Sequence, residues 1–180
     1  MATNNLTVVR RYSRAVFELA KQRDILVQVN DDLTQLADGI SSQADFVTFM
    51  ESPAIKLSVK QDLVNQLIAG ANELSQNLIK MLFNAGRITQ LGEVVAEFKK
   101  LYDQDQKIVR AIVTTAIELD ATQKQRLADK FAQVVGAKEV ILTPVIDESI
   151  VGGVILQSSD YIYDGSIKTR IERVKRLLLK

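Results

Sequence analysis

Over the first hundred residues apolar positions recur in steps of three and four, the period of amphipathic helices, and no stretch alternates in steps of two. The pattern predicts six consecutive helices. The first spans residues 7–23, the second 25–40 and a short third 43–51, after which Pro53 breaks the run. Ser58 with Gln61 resembles a capping box that opens a fourth helix carrying Leu63, Val64, Leu67 and Ile68, with Gly70 as its stop. A fifth follows from residue 72 and stops near Gly86. The sixth places Ile88, Leu91, Val95, Phe98 and Tyr102 on one narrow seam and ends in the polar stretch 103–107.

Beyond that stretch the period falls to two, which marks a domain boundary. Residues 108–117 are rich in β-branched side chains and read as a strand. Asp120 with Gln123 forms a capping-box pattern for a helix carrying Leu127, Phe131, Val134 and Val135, and Gly136 ends it. Residues 140–146 and 151–157 read as two more strands and 161–163 as a short fourth. Asp164 and Gly165 then turn the chain into a closing helix, 166–179. The expected fold class is a multidomain α+β chain: a six-helix bundle over residues 1–105, followed by a small α/β domain over 106–180. No internal repeat or low-complexity tract relates the two halves.

Two helices of the bundle are apolar over an unusually wide arc. On the first, Val8, Tyr12, Ala15 and Leu19 form one stripe, Val9, Val16 and Ala20 lie beside it, and Phe17 widens the arc to roughly 200°. The fifth behaves alike through Leu74, Leu78, Met81, Leu82 and Ala85, extended by Ile79 and Phe83. The second is confined to about 120° through Val29, Leu33, Leu36, Ala37 and Ile40, with Val27 outside that stripe. Two arrangements satisfy such width. Either both wide helices lie at the centre of the bundle with neighbours on every side, or each keeps an apolar strip for a helix of another protein.

Composition narrows the chemistry. Lys and Arg number 23 against 22 Asp and Glu, a net charge of +1, so no long-range field gathers phosphate backbones or anionic lipids, and generic nucleic-acid binding is disfavoured. The chain has no Cys and no His. Disulfides, thiolate nucleophiles and imidazole catalysis are therefore excluded, and an enzyme would have to work with Asp, Glu, Lys, Ser or Tyr alone. No apolar run approaches the roughly 20 residues that cross a bilayer, and the first eleven residues lack the layout of a signal peptide. The expectation is a protein that works outside the lipid and needs no cofactor or metal.

Several motifs invite a functional reading. Gly152 and Gly153 are adjacent, but β-branched residues follow them instead of the Lys and Ser or Thr of a phosphate loop, so a bulge or a close backbone approach suits them better. Asp147, Glu148, Asp160 and Asp164 could be paired acids, yet each sits beside an expected turn, where capping is the simpler role. The closing helix surrounds an apolar stripe of Ile167, Ile171, Val174, Leu177 and Leu178 with Lys168, Arg170, Arg173, Lys175, Arg176 and Lys180. It is either a solvated basic face or a dock for an acidic coiled-coil end.

The run Val145, Ile146, Asp147, then Ile150 to Ile155 through Gly152 and Gly153, then Asp160, Ile162, Asp164, Gly165, Ser166 and Ile167 resembles the delta subunit of F-type ATP synthases, the oligomycin-sensitivity-conferring protein of mitochondria. Arg11, Tyr12, Ala15 and Phe17 are similar to that family's opening pattern. Pro53, Ile55 and Lys60 are similar to its mid-bundle signature, and residues 84–87 to its turn before the last bundle helix. Ser159, Ser13 and Val16 depart from residues common in relatives.

The resemblance covers nearly the whole chain and implies a non-catalytic stator subunit that links the alpha/beta head to the peripheral stalk against rotary torque. It implies that the N-terminal domain grips the N-terminal helix of an alpha subunit through Tyr12, Ala15, Asn77, Leu78 and Met81. The C-terminal domain is expected to bind the C-terminal end of the b subunits, with Asp147, Gly152, Gly153, Asp160, Asp164 and Gly165 as a structural signature. The expected state is a monomer within a hetero-oligomeric complex on the cytoplasmic face of a bacterial membrane, or its organellar equivalent. Two other classes fit the residues alone: a helical adaptor or chaperone for amphipathic helices, and a small carboxylate-based enzyme.

Overall fold

The computed structural model describes residues 2–43, 45–159 and 161–178, with side chains described from Leu6 to Arg176 within those spans. The chain divides into two compact units, Met1–Tyr102 and Asp103–Lys180. Asp160, and the side chains of Leu177, Leu178 and Lys180, lie outside the described residues.

The first unit is helical throughout. Its elements are α1 (Ala2–Gln22), α2 (Leu26–Ser41), α3 (Phe46–Glu51), α4 (Leu57–Leu67), α5 (Glu73–Asn84) and, after a 3-10 turn at Ile88–Gln90, α6 (Leu91–Gln106). Its core draws on every helix: Val16 and Ala20, Val29 and Leu33, Phe46, Val64, Leu78 and Leu82, and Leu91 and Phe98 are all buried. Phe17 meets Phe98 edge to face, with ring centroids 6.1 Å apart, a favoured aromatic geometry.

The helix ends follow from local chemistry. The side chain of Asn72 accepts a hydrogen bond from the Leu74 backbone N–H at 3.0 Å and so caps α5. Gly86, at φ 65°, turns the chain after it. The expected capping box of α4 does not form. The helix starts one residue before Ser58, because the carbonyl of Lys56 already accepts from Val59 and Lys60. Lys60 is instead turned back onto α3, donating from Nζ to the carbonyls of Met50 at 2.6 Å and Ser52 at 2.8 Å. A lysine here does the work of a C-terminal cap. Gly70 likewise does not end α4 itself; at φ 95° it serves the turn between α4 and α5.

The second unit begins within the last turn of α6, where the carboxylate of Asp103 holds the Arg110 guanidinium through two bonds of 2.6 and 3.0 Å. Its elements are β1 (Ile108–Thr115), α7 (Ala121–Val135), β2 (Glu139–Ile146), β3 (Val154–Ser158), β4 (Ile162–Asp164) and α8 (Ile167–Leu178). The sheet runs β2-β1-β3-β4. β1 and β2 are parallel, joined by the α7 crossover, and the other two pairings are antiparallel. Pro144, which has no N–H to donate, is tolerated because β2 is an edge strand.

One face of the sheet packs on α7, where Phe131 is buried with Ala111, Val113 and Leu156. The Asp120–Gln123 capping box forms with both bonds, at 2.7 and 3.1 Å, and Gly136 closes the helix at φ 69°. One expected strand is corrected: it starts at Val154, not at residue 151. Glu148–Ile150 forms a 3-10 turn and Val151 takes φ 65°, which reverses the chain before the strand begins.

Candidate functional site

The core divides the wide arc of α1 in two. Val9, Ser13, Val16 and Ala20 form its buried stripe. Ser13 is admitted because its hydroxyl donates to the carbonyl of Val9 at 2.9 Å, within the same helix. The adjacent stripe is left open: Val8 and Tyr12 are half-buried, Ala15 is exposed, and Leu19 keeps 41% of its surface.

On α5 the buried arc is Leu74, Ser75, Leu78, Ile79 and Leu82. Asn77 and Met81 lie at its margin, and Met81 is 55% exposed. Helices α1 and α5 contact each other. Of the five residues expected to hold a partner helix, Tyr12, Ala15, Asn77 and Met81 are thus at least partly accessible. Leu78, at 2% exposure, belongs to the core beneath.

One residue of this region escaped the sequence reading. Asp32, on α2, accepts from the backbone N–H of Asn72 at 2.6 Å and from the Ser75 hydroxyl at 3.2 Å. The signal was present as an acid on the rim of the Val29 and Leu33 stripe, facing a serine set among the apolar positions of α5.

In the second unit the signature residues Gly152, Gly153, Asp164 and Gly165 build one knot of backbone. Gly152 accepts from Ile167 and Val154 from Gly165, both at 2.9 Å. Asp164 stitches the start of α8, accepting from the Ser166 N–H at 2.9 Å and from the Thr169 hydroxyl at 2.7 Å. Asp147 accepts from the Ser149 N–H at 2.9 Å. These bonds favour the charged form. For Asp147 the bonding to Ser149 holds the carboxyl below its usual range, and for Asp164 the Ser166 N–H does so first and Thr169 next. Each acid is occupied by its own turn. Among the described residues no three His, Cys, Asp or Glu gather in a group able to hold a metal ion.

Two apolar surfaces of this unit are uncovered. Across the sheet face opposite α7, Ile112, Gln157 and Ile162 are register partners in one row, and Ile162 is 73% exposed. Along α8, Ile167, Ile171 and Val174 are exposed among Lys168, Arg170, Arg173, Lys175 and Arg176, with Glu172 the one acid between them. Among the described residues no helix is long and apolar enough to cross a membrane.

Residues 8–178 match the family described as ATP synthase delta (OSCP) subunit. The chain is 46% identical over 180 residues to the ATP synthase subunit delta of Ligilactobacillus salivarius, covering 100% of both chains. It is 38% identical over 179 residues to that of Leuconostoc citreum, covering 99% of both. In fold it is similar to a chain in a cryo-EM structure of the Toxoplasma gondii mitochondrial ATP synthase hexamer, with a TM-score of 0.72 and 24% identity over 96% of this chain and 97% of that one. The general helix adaptor and the carboxylate enzyme are left without support. The chain belongs to the ATP synthase delta (OSCP) subunit family, whose members are structural, non-catalytic components of the peripheral stalk.

Proposed function

We propose that the first unit seats the N-terminal helix of an alpha subunit along α1 and α5, and that the second unit holds the C-terminal end of the b subunits. The chain then ties the catalytic head to the stator on the cytoplasmic face of a bacterial membrane, as one copy within a hetero-oligomer. Torque from the central shaft does useful work only if the head is kept from turning with it, and this tie supplies the restraint.

The observation that carries the reading is the open half of the α1 arc. A core that buries Val9, Val16 and Ala20 yet leaves Tyr12, Ala15 and Leu19 accessible on α1, with Met81 accessible on the contacting α5, offers apolar surface in excess of what the bundle uses. An amphipathic helix laid on that surface buries it, with Tyr12 and Asn77 supplying polar atoms at the rim. Ala15 is small, so a partner backbone approaches closely there. Burial of this kind dissociates slowly, as a mechanical link requires, whereas exposed ion pairs add little.

Titration of an alpha-subunit N-terminal peptide into the chain tests it. Ala15→Asp is exposed in the free protein and leaves the fold intact, but in the complex its charge loses water without a partner, a penalty of several kcal/mol. Affinity is expected to fall by about a hundredfold or more. Unchanged affinity in the folded variant removes the reading.

A further inference from the structure

The carboxylate that escaped the sequence reading controls where α5 sits. Oδ2 of Asp32 receives the backbone N–H of Asn72, the residue that enters the helix, and the hydroxyl of Ser75 in its first turn. The first contact fixes the start of α5 along its axis. The second fixes its rotation about that axis. Ser75 is fully buried, and a buried hydroxyl without a partner is unfavourable, so burial favours keeping the second contact. The negative charge also lies at the positive end of the helix dipole.

Rotation of α5 matters to what it presents. At 100° per residue, Asn77 and Met81 lie about 200° and 240° around the helix from Ser75. They occupy the side away from the clamp, and any rotation that releases Ser75 swings them through the same angle. We infer that Asp32 is a positioning residue for helix binding: it touches no partner, but sets the angle at which α5 offers Asn77 and Met81 beside α1. This rests on the binding surface proposed above.

Loss of the clamp does not dissolve the helix. The Asn72 side chain still caps Leu74, and Leu78, Ile79 and Leu82 still anchor it in the core. The test therefore compares Asp32→Ala, Asp32→Asn and Ser75→Ala by two measurements: affinity for an alpha-subunit N-terminal peptide, and the methyl resonances of methionine. Met81 reports on α5, and Met50, buried on α3, is the internal reference.

Asp32→Ala is expected to weaken binding roughly tenfold or more and to move the Met81 signal while that of Met50 stays. Asp32→Asn keeps an oxygen that accepts both bonds, and is expected to bind within about threefold of the parent chain. Asp32→Ala binding as tightly as the parent, with the Met81 signal unmoved, overturns the inference. Should that variant fail to fold, Ser75→Ala decides in its place, and parental affinity there has the same force. A parent chain that does not bind the peptide at all removes the binding surface and this inference together, whereas tight binding by parent and Asp32→Ala alike removes the inference alone.

Discussion

A Cβ atom placed on Gly153 would collide with the carbonyl oxygen of Gly165, and Gly153 itself sits at φ 83°. The segment that leads into β3 and the segment that leads into α8 therefore touch backbone to backbone, and neither can withdraw without breaking the Gly165 to Val154 and Ile167 to Gly152 hydrogen bonds. Gly153→Ala is expected to destabilise the second unit by about 2–4 kcal/mol, from strain at positive φ plus the collision. Gly152→Ala is milder, because a Cβ there meets only the Cδ1 end of the flexible Ile167 side chain at 2.9 Å. Val151, β-branched at φ 65°, is strained already, and Val151→Gly is expected to stabilise by about 1 kcal/mol. Denaturant midpoints of the three variants give the order directly.

Lys60 offers a second contrast between charge and geometry. Its ammonium satisfies two carbonyls at the end of α3, so Lys60→Met keeps the apolar stem but leaves both acceptors without this donor. A loss of about 1–3 kcal/mol is expected. The same substitution at Lys100, whose exposed ammonium pairs with Glu97 one turn back on the same helix, should change stability by less than about 0.5 kcal/mol. Thermal unfolding of the two variants separates the roles, and equal losses would remove the capping function of Lys60.

What was readable in the sequence, and what was not, follows the range of the interaction concerned. The Asp120 and Gln123 box and the Gly136 stop depend on neighbours within four residues, so residue type announces them, although the equally local Ser58 and Gln61 pattern is overridden by Lys56 opening α4 one residue earlier. The start of β3 does not. Val151 argues for a strand by its branching, but the chain must reverse there to bring Gly153 against Gly165, a partner twelve residues on. The arc of α1 shows the same divide. Its width is a local property, whereas the choice of the Val9 and Val16 stripe for the core depends on distant packing such as Phe17 meeting Phe98. Asp32 is clearer still, because its partners lie forty and forty-three residues away.

The two turn carboxylates give the second unit a pH dependence whose sign is fixed. Asp147 and Asp164 have folded-state pKa values below the ordinary 3.8. The unfolded chain therefore binds more protons in the acid range, so stability rises with pH there. Their contribution is fully present above the unfolded value and is lost as pH falls through the folded one. Unfolding midpoints recorded from pH 6 down to pH 2 are expected to hold steady and then drop below about pH 4. In the Asp147→Asn and Asp164→Asn double variant the drop should flatten. An unaltered slope would mean that other carboxylates carry the effect.

The α8 surface separates apolar from ionic contributions to stalk binding. Ile171 is 57% exposed in the middle of the Ile167, Ile171 and Val174 stripe, while the five cations around it are exposed. If the b subunits dock here, the stripe becomes the buried centre and the cations its solvated rim, and buried apolar anchors outweigh rim charges. Ile171→Asp should then abolish recovery of b subunits in a pull-down from detergent-solubilised membranes while the catalytic head is still recovered. Arg173→Gln should weaken recovery only about two- to fivefold, and less as salt is raised, since an exposed pair contributes roughly 0–1 kcal/mol. Met81→Asp on α5 should do the converse of Ile171→Asp, losing the head and keeping the stalk. Because the two surfaces belong to different compact units, the defects should be independent, and a variant at either one that releases both partners would contradict the division of labour proposed for them.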